Sequence, residues 1–476
     1  MRVCMILEGC YPYVVGGVSS WTHQYIQAMP EVEFVLWCIA AKAEDQGKFK
    51  YELPKNVVEV HEVFLDDALR LKLNRKQSRH LKLTEEQMNS MGKLFACEPL
   101  DWNPLFELFQ DERVNPVSML MSPIFLDMLI DTCEKKFPHV SFAEYFHTIR
   151  SMLLPELYLL TQDIPEAEIY HSTATGYSGL LGSMASWKKH KPFIVTEHGI
   201  YTREREEEIL RAGWVLPYFR QQWIKLFYTF SDCAYRHADR VTALFKRANL
   251  TQEEIGCPKE KLCVIENGVH TERFEMVKTK KENGFVDIGA IVRIAKIKDI
   301  KTMIYAFAEV KSAVPEARLH IMGDVDDEEY FQECKLLITQ LDVKDIIFTG
   351  IVNVIEYMEK LDFIILTSIS EGQPLSILES FAAGRACVAT DVGCCRELIE
   401  GEDGDSFGMA GICVPPMHKD RLAQAMIRMC CDTVTRKKME KAGKQRVLTY
   451  YTHQISMNKY RELYREVCSW QESDLN

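Results

Sequence analysis

From about residue 285 onward the chain alternates strand-like and helix-like segments so regularly that only one kind of sheet accommodates it. The run "FVDIGAIVRI" is followed by a basic loop and a helical pattern, "KDIKTMIYAFAEVKSAV", then by the strand-like "ARLHIMGD". A further helical stretch leads to "IIFTG", then "VIEYMEKL", "DFIILTS", the segment "SEGQPLSILESFAAG" and "ACVAT". Repeated β-α-β order demands a parallel sheet with helices on both faces. The amino-terminal part reads the same way. "RVCMILEG" and "EFVLWCIA" flank a helical pattern carrying Val18, Trp21, Tyr25 and Ala28, and "AEIYHS" and "PFIVTEHG" are further buried strands.

Between these strand groups, about 61–160, prolines and helical patches occur without strand alternation, which predicts a mostly helical insertion. "VIENGV" at 264–269 reads as a hinge, with Asn267-Gly268 supplying a turn. The expected organisation is an amino-terminal domain over 1–268, a carboxyl-terminal domain over 269–450, and a helix within 451–476 that crosses back. That helix carries Met457, Tyr460, Tyr464 and Val467 on one face and needs a surface to pack on.

A length of 476 residues implies more than one core. With 47% apolar and 26% charged residues the chain is globular, and a net charge of -12 without a strongly basic segment argues against a nucleic-acid partner. None of the sixteen cysteines forms a Cys-x-x-Cys pair, and several lie in apolar runs, as buried reduced thiols of a reducing compartment do. "MRVCMILEG" is too soon interrupted for a signal peptide. "VSMLMSPIFLDMLI", broken by Pro123 and Asp127, falls short of the ~20 residues that span a bilayer. The expected location is cytoplasmic.

In open parallel sheets, ligands meet the loops at the carboxyl ends of strands. Four such loops carry candidate residues. In "SEGQPLSILESFAAG", Glu371 follows a strand, Gly372 permits a tight turn, and Pro374 suits the first position of a helix that stops at Gly384. The free amides near Gln373, Pro374 and Leu375 make an anion site. Glu379 lies roughly 7.5 Å farther along the helix axis. Carboxylates beside an anion site suit neutral hydroxyls, one set from a hexose and one from a ribose, with a diphosphate between. Glu379 as a surface residue and Glu371 as a dipole-stabilising one is the plainer alternative.

In "VRIAKIK", Arg293 closes a strand and Lys298 opens the next helix, so both cations can converge on one anion, or else decorate a solvated loop. In "YPYVVGGVSSW", Gly16 and Gly17 let backbone amides approach a ligand, or serve a turn with positive φ. In "VTEHGIYTRERE", His198 stands at a strand end, in a functional or a structural role. Asp324-x-Asp326 has a metal-binding spacing, but with Arg293 and Lys298 available it reads as an ordinary loop, and no metal is expected.

Together these motifs resemble the retaining glycosyltransferases of family 4. Glu371-x7-Glu379 is similar to their paired-glutamate signature, Arg293 and Lys298 to their diphosphate-binding pair, Gly16-Gly17 to their glycine loop, and His198 to their histidine near the donor sugar. The resemblance implies a GT-B fold: two Rossmann-like domains facing across a deep cleft. More narrowly, "EGCYPYVVGGVSSWTHQYI" and "TEHGIYTRERE" resemble the glycosyltransferases of Pel-type exopolysaccharide synthesis. That branch implies a UDP-sugar donor, plausibly UDP-glucose, a polysaccharide acceptor, a biofilm pathway and a membrane-embedded synthase complex as partner. Val14-Val15 stand where the glycogen-synthase branch has a lysine, which disfavours an ADP-glucose synthase. A nucleotide-sugar 2-epimerase and a non-catalytic nucleotide-binding scaffold are the rival readings.

Overall fold

The computed structural model describes residues 1–402 and 404–474. The chain divides into two compact units, Met1–Val264 together with the segment from Arg461 onward, and Ile265–Tyr460.

The sheet of the first unit contains β1 (Arg2–Glu8), β2 (Glu33–Ala40), β3 (Val57–Phe64), β4 (Ile169–Ser172), β5 (Phe193–Glu197), β6 (Arg240–Ala243) and β7 (Leu262–Val264). They run parallel in the order β3-β2-β1-β4-β5-β6-β7. Val3 to Leu7 of β1 are buried in succession, as a strand covered on both faces requires. The helical insertion is present, but β3 extends into its expected start at 61. "VEVHEV" alternates polar and apolar residues because β3 is an edge strand, with Glu59 exposed. Helices follow from Arg75 to Leu159, opened by capping side chains at Asn74, Thr84, Asn115, Ser122 and Ser141. Their apolar faces, with Trp102, Phe106, Phe125 and Leu153, join Phe230 in one core.

In the second unit, β8 (Val286–Ile291), β9 (Ala317–Met322), β10 (Ile346–Gly350), β11 (Phe363–Leu366), β12 (Ala386–Thr390) and β13 (Gly411–Val414) form a parallel sheet. The order is β10-β9-β8-β11-β12-β13. Each sheet therefore reverses its winding once, between β1 and β4 and between β8 and β11. At such switch points adjacent loops diverge to opposite faces and leave a crevice for ligands.

Gly268, expected to supply a turn, does not have positive φ. A Cβ there would lie 2.3 Å from the carbonyl oxygen of Thr452, so close backbone approach excludes a side chain. Val269 donates to the Tyr451 carbonyl and accepts from His453, tying this segment to the start of the last helix, His453–Asp474. Met457, Tyr460, Tyr464 and Val467 of that helix are all buried. In the first unit, Tyr464 Oη accepts from Tyr25 Oη at 2.6 Å and lies 2.8 Å from His171 Nδ1, while Arg461 pairs with Glu31.

Candidate functional site

The switch point of the second sheet brings several of the motif residues together. Strand order sets the loops after β8 and β11 side by side, and the amide of Ile369 donates to the carbonyl of Ile297 at 2.9 Å. Thr367 Oγ1 donates to the Lys298 carbonyl at 2.7 Å. So held, Lys298 Nζ lies 2.6 Å from Glu371 Oε1, and Ser368 Oγ donates to the same oxygen at 2.5 Å. The two charged side chains are only 18% and 14% exposed, so their attraction is less screened than on the surface.

Lys298 does not open the following helix. It ends a 3-10 turn, Lys296–Lys298, and Asp299 then caps the helix Ile300–Ala313 by accepting from Thr302 N. Arg293 lies beyond the end of β8, and Nη1 donates to Asp326 Oδ2 at 2.7 Å. The acidic loop with metal-like spacing thus supplies a counter-charge to one of the two cations. Among the described residues no group of three or more His, Cys, Asp or Glu side chains could hold a metal ion.

The helix after Glu371 runs Leu375–Ala382, with Pro374 at the capping position rather than within the first turn. No side chain caps this N-terminus, so its first amides and the positive end of its dipole have no side-chain acceptor. Gln373 Oε1 accepts from the Asn267 amide at 2.6 Å, and its buried Nε2 has no partner among the described residues. Gly372 accepts from Cys394 N at 3.1 Å. Gly393 has φ +55°, and a Cβ there would lie 2.1 Å from the Gly372 oxygen and 2.4 Å from that of Glu371. The Glu379 side chain has no hydrogen-bond partner among the described residues; burial raises its pKa while the charge of Arg273 opposes the rise.

In the first unit, Gly17 begins the helix Gly17–Gln27 and Gly16 caps it with extended backbone at φ -176°. Neither glycine has positive φ, and a Cβ on either would meet nothing within 4 Å. The positive-φ alternative falls away, and the space that a side chain would fill at either position is open. Trp21, one turn into that helix, meets His198 edge-on with centroids 4.3 Å apart. The glycine loop and the histidine after β5 are therefore neighbours. Burial lowers the His198 pKa to about 4, and Nε2 has no partner among the described residues.

Sequence reasoning missed Ser368, Arg273 and Gly393, and gave Asn267 a place in a turn without its contact to Gln373. Ser368 ends the quoted strand "DFIILTS", but its role, like that of Gly393, needs the neighbouring strand. It also missed Glu8, at the carboxyl end of β1, which accepts from Tyr201 Oη and Ser178 N.

Two doubly wound parallel sheets, each with its motif loops beyond the strand ends, define a protein of the GT-B fold class. The chain belongs to the family described as a domain of unknown function, DUF3492, which matches residues 1–260, and residues 285–432 match the glycosyl transferases group 1 family. HepE of Anabaena, solved in complex with UDP, superposes with a TM-score of 0.62 at 15% identity, over 98% of this chain and 100% of that one. Sucrose-phosphate synthase of Thermosynechococcus elongatus does so with 0.59 at 14% identity, over 98% and 100%. Alpha-monoglucosyldiacylglycerol synthase of Streptococcus pneumoniae is 31% identical over 142 residues, 26% of this chain and 32% of that protein. MMP alpha-(1->4)-mannosyltransferase of Mycolicibacterium hassiacum is 22% identical over 271 residues, 55% and 62%. The chain thus spans less than two thirds of the length of these curated relatives.

Proposed function

We propose that the protein is a retaining glycosyltransferase that moves a hexosyl unit from a UDP-sugar, with UDP-glucose as the expected donor, to a polysaccharide acceptor. The observation that carries this reading is the Lys298–Glu371–Ser368 cluster beside the uncapped helix Leu375–Ala382. Lys298 has three donors, so one can stay on Glu371 while others take phosphate oxygens. Together with the helix amides it would stabilise negative charge developing on the leaving diphosphate. Arg293 would serve the same charge after exchanging Asp326 for phosphate. Glu371 would hold sugar hydroxyls and Glu379 those of the ribose, with His198 contributing to the sugar as a neutral imidazole. The acceptor hydroxyl would attack from the leaving-group face, and a phosphate oxygen would receive its proton.

The match over 285–432 and the UDP in the HepE structure support a UDP-sugar donor. On the sequence resemblance, the pathway is Pel-type exopolysaccharide synthesis and the counterpart is its glycosyltransferase PelF. The proposed chemistry draws its positive charge from the chain, without a metal, and takes place in the cytoplasm, peripheral to a membrane-embedded synthase complex.

Lys298→Ala and Glu371→Ala should each abolish most UDP release from UDP-glucose while leaving the circular dichroism spectrum unchanged. Thermal shifts with UDP-, ADP- and GDP-sugars should single out UDP. Wild-type transfer by either variant, or loss of transfer on adding a chelator, would overturn the proposal.

A further inference from the structure

The helix Thr433–Tyr450 lies just beyond the segment matched to glycosyl transferases and divides its cations by chemistry. Its two arginines are buried and occupied. Arg436 pairs with Asp362 at 3.0 Å, and Arg446 pairs with Asp405 at 2.5 Å. Its four lysines, Lys437, Lys438, Lys441 and Lys444, are all exposed. None of the four has an ion-pair partner among the described residues, whereas Glu440, the only acidic residue of the helix, lies 3.7 Å from Arg436.

At 3.6 residues per turn, Val434, Lys437, Lys441, Lys444 and Leu448 fall within roughly 80° of arc, a stripe about 21 Å long. Val434 is 66% exposed and Leu448 46% exposed, so the stripe has an apolar side chain at each end. Met439, Ala442 and Val447 are buried on the other side and anchor the helix to its unit. An exposed lysine row is ordinarily balanced by nearby acids, and the chain as a whole carries a charge of -12. That excess of negative charge is screened beyond about 8 Å at physiological salt, so a local row of ammonium groups can act alone at short range.

We infer that this stripe is a docking surface for an anionic lipid bilayer. The lysines meet the headgroups, and Val434 and Leu448 enter the boundary between headgroups and acyl chains. An acidic protein face would satisfy the lysines and leave the two apolar ends exposed; a bilayer interface accommodates both kinds of group. No described helix is long and apolar enough to cross a membrane. The inference is independent of the proposed transfer chemistry, since none of its residues belongs to the candidate site.

The test is co-sedimentation of the full chain with vesicles of phosphatidylcholine containing about a quarter phosphatidylglycerol, against pure phosphatidylcholine, at low and physiological salt. Binding to the anionic vesicles alone, weakening with salt, is expected. Each lysine near such a surface accounts for roughly a fivefold change in partitioning. Lys437→Glu, Lys441→Glu and Lys444→Glu together should therefore weaken binding by at least about a hundredfold, with an unchanged melting temperature. Val434→Ser with Leu448→Ser should weaken it more modestly. Absence of binding, equal binding to both vesicle types, or indifference to charge reversal would overturn the inference. So would salt-sensitive capture on polyglutamate beads without vesicle binding, which would assign the stripe to an acidic protein.

Discussion

Replacing Gly393 with alanine separates two effects that usually arrive together. At φ +55° an alanine is strained by about 1–2 kcal/mol whatever surrounds it. At Gly393 its Cβ would also stand 2.1 Å from the Gly372 carbonyl oxygen and 2.4 Å from that of Glu371. Ordinary van der Waals contact begins at 3.4 Å, so the Gly372 oxygen must retreat by about 1.3 Å and carry the Glu371 backbone with it. Under the proposed function Glu371 positions the reacting sugar, and a shift of that size in such a group is worth on the order of a hundredfold in rate. Gly384→Ala is the control. It has nearly the same φ, +67°, but the nearest neighbour of its Cβ is Lys444 Cδ at 4.0 Å. Both variants should lose a few degrees of melting temperature, while only Gly393→Ala should lose UDP release from UDP-glucose under saturating donor. Equal turnover in the two variants would refute the claim that Gly393 holds the Glu371 loop in a working position.

Other perturbations test the electrostatics. Burial raises the pKa of Glu156, which is fully buried, from 4.5 to about 8. The folded chain then keeps a proton that the unfolded chain releases, so stability falls as pH rises from 4.5 to about 8, by about 1.4 kcal/mol per pH unit from this group. Glu156→Gln should flatten that slope in denaturant titrations; an unchanged slope would contradict it. His198, with its pKa lowered to about 4 by burial, is neutral at physiological pH, so the turnover profile should show no inflection near about 6.5 that His198→Gln removes. Arg446→Met should cost about 3–5 kcal/mol in chemical denaturation, because it strands the Asp405 carboxylate and the carbonyls of Leu398, Ile399 and Gly408.

The strands that parallel sheets bury on both faces announce themselves as apolar runs, and "VCMILE" or "DFIILTS" needs no neighbour to be read. Short or edge strands do not: β3 hides its alternation among charged residues, and β7 has three residues. The candidate loops were visible because glycine, proline and charge crowd them. Their pairings were not. Lys298 reaches Glu371, 73 residues away, because the sheet winds β8 against β11, and Arg293 takes Asp326 because the loop after β9 runs alongside. A linear reading gathered the cations and carboxylates about one anion but did not find the ion pairs that they make. Gly393 shows the same limit, since its requirement comes from carbonyl oxygens about twenty residues upstream.

Tyr464 has a consequence for biogenesis. It caps a hydrogen-bonded chain through Tyr25 and through His171, which in turn lies 2.8 Å from Thr196 Oγ1. The residue that fills this place leaves the ribosome some two hundred positions after the last strand of the sheet it seals. Until then the nascent domain keeps a polar, unsealed interior, and a product truncated before Arg461 would lack its keystone.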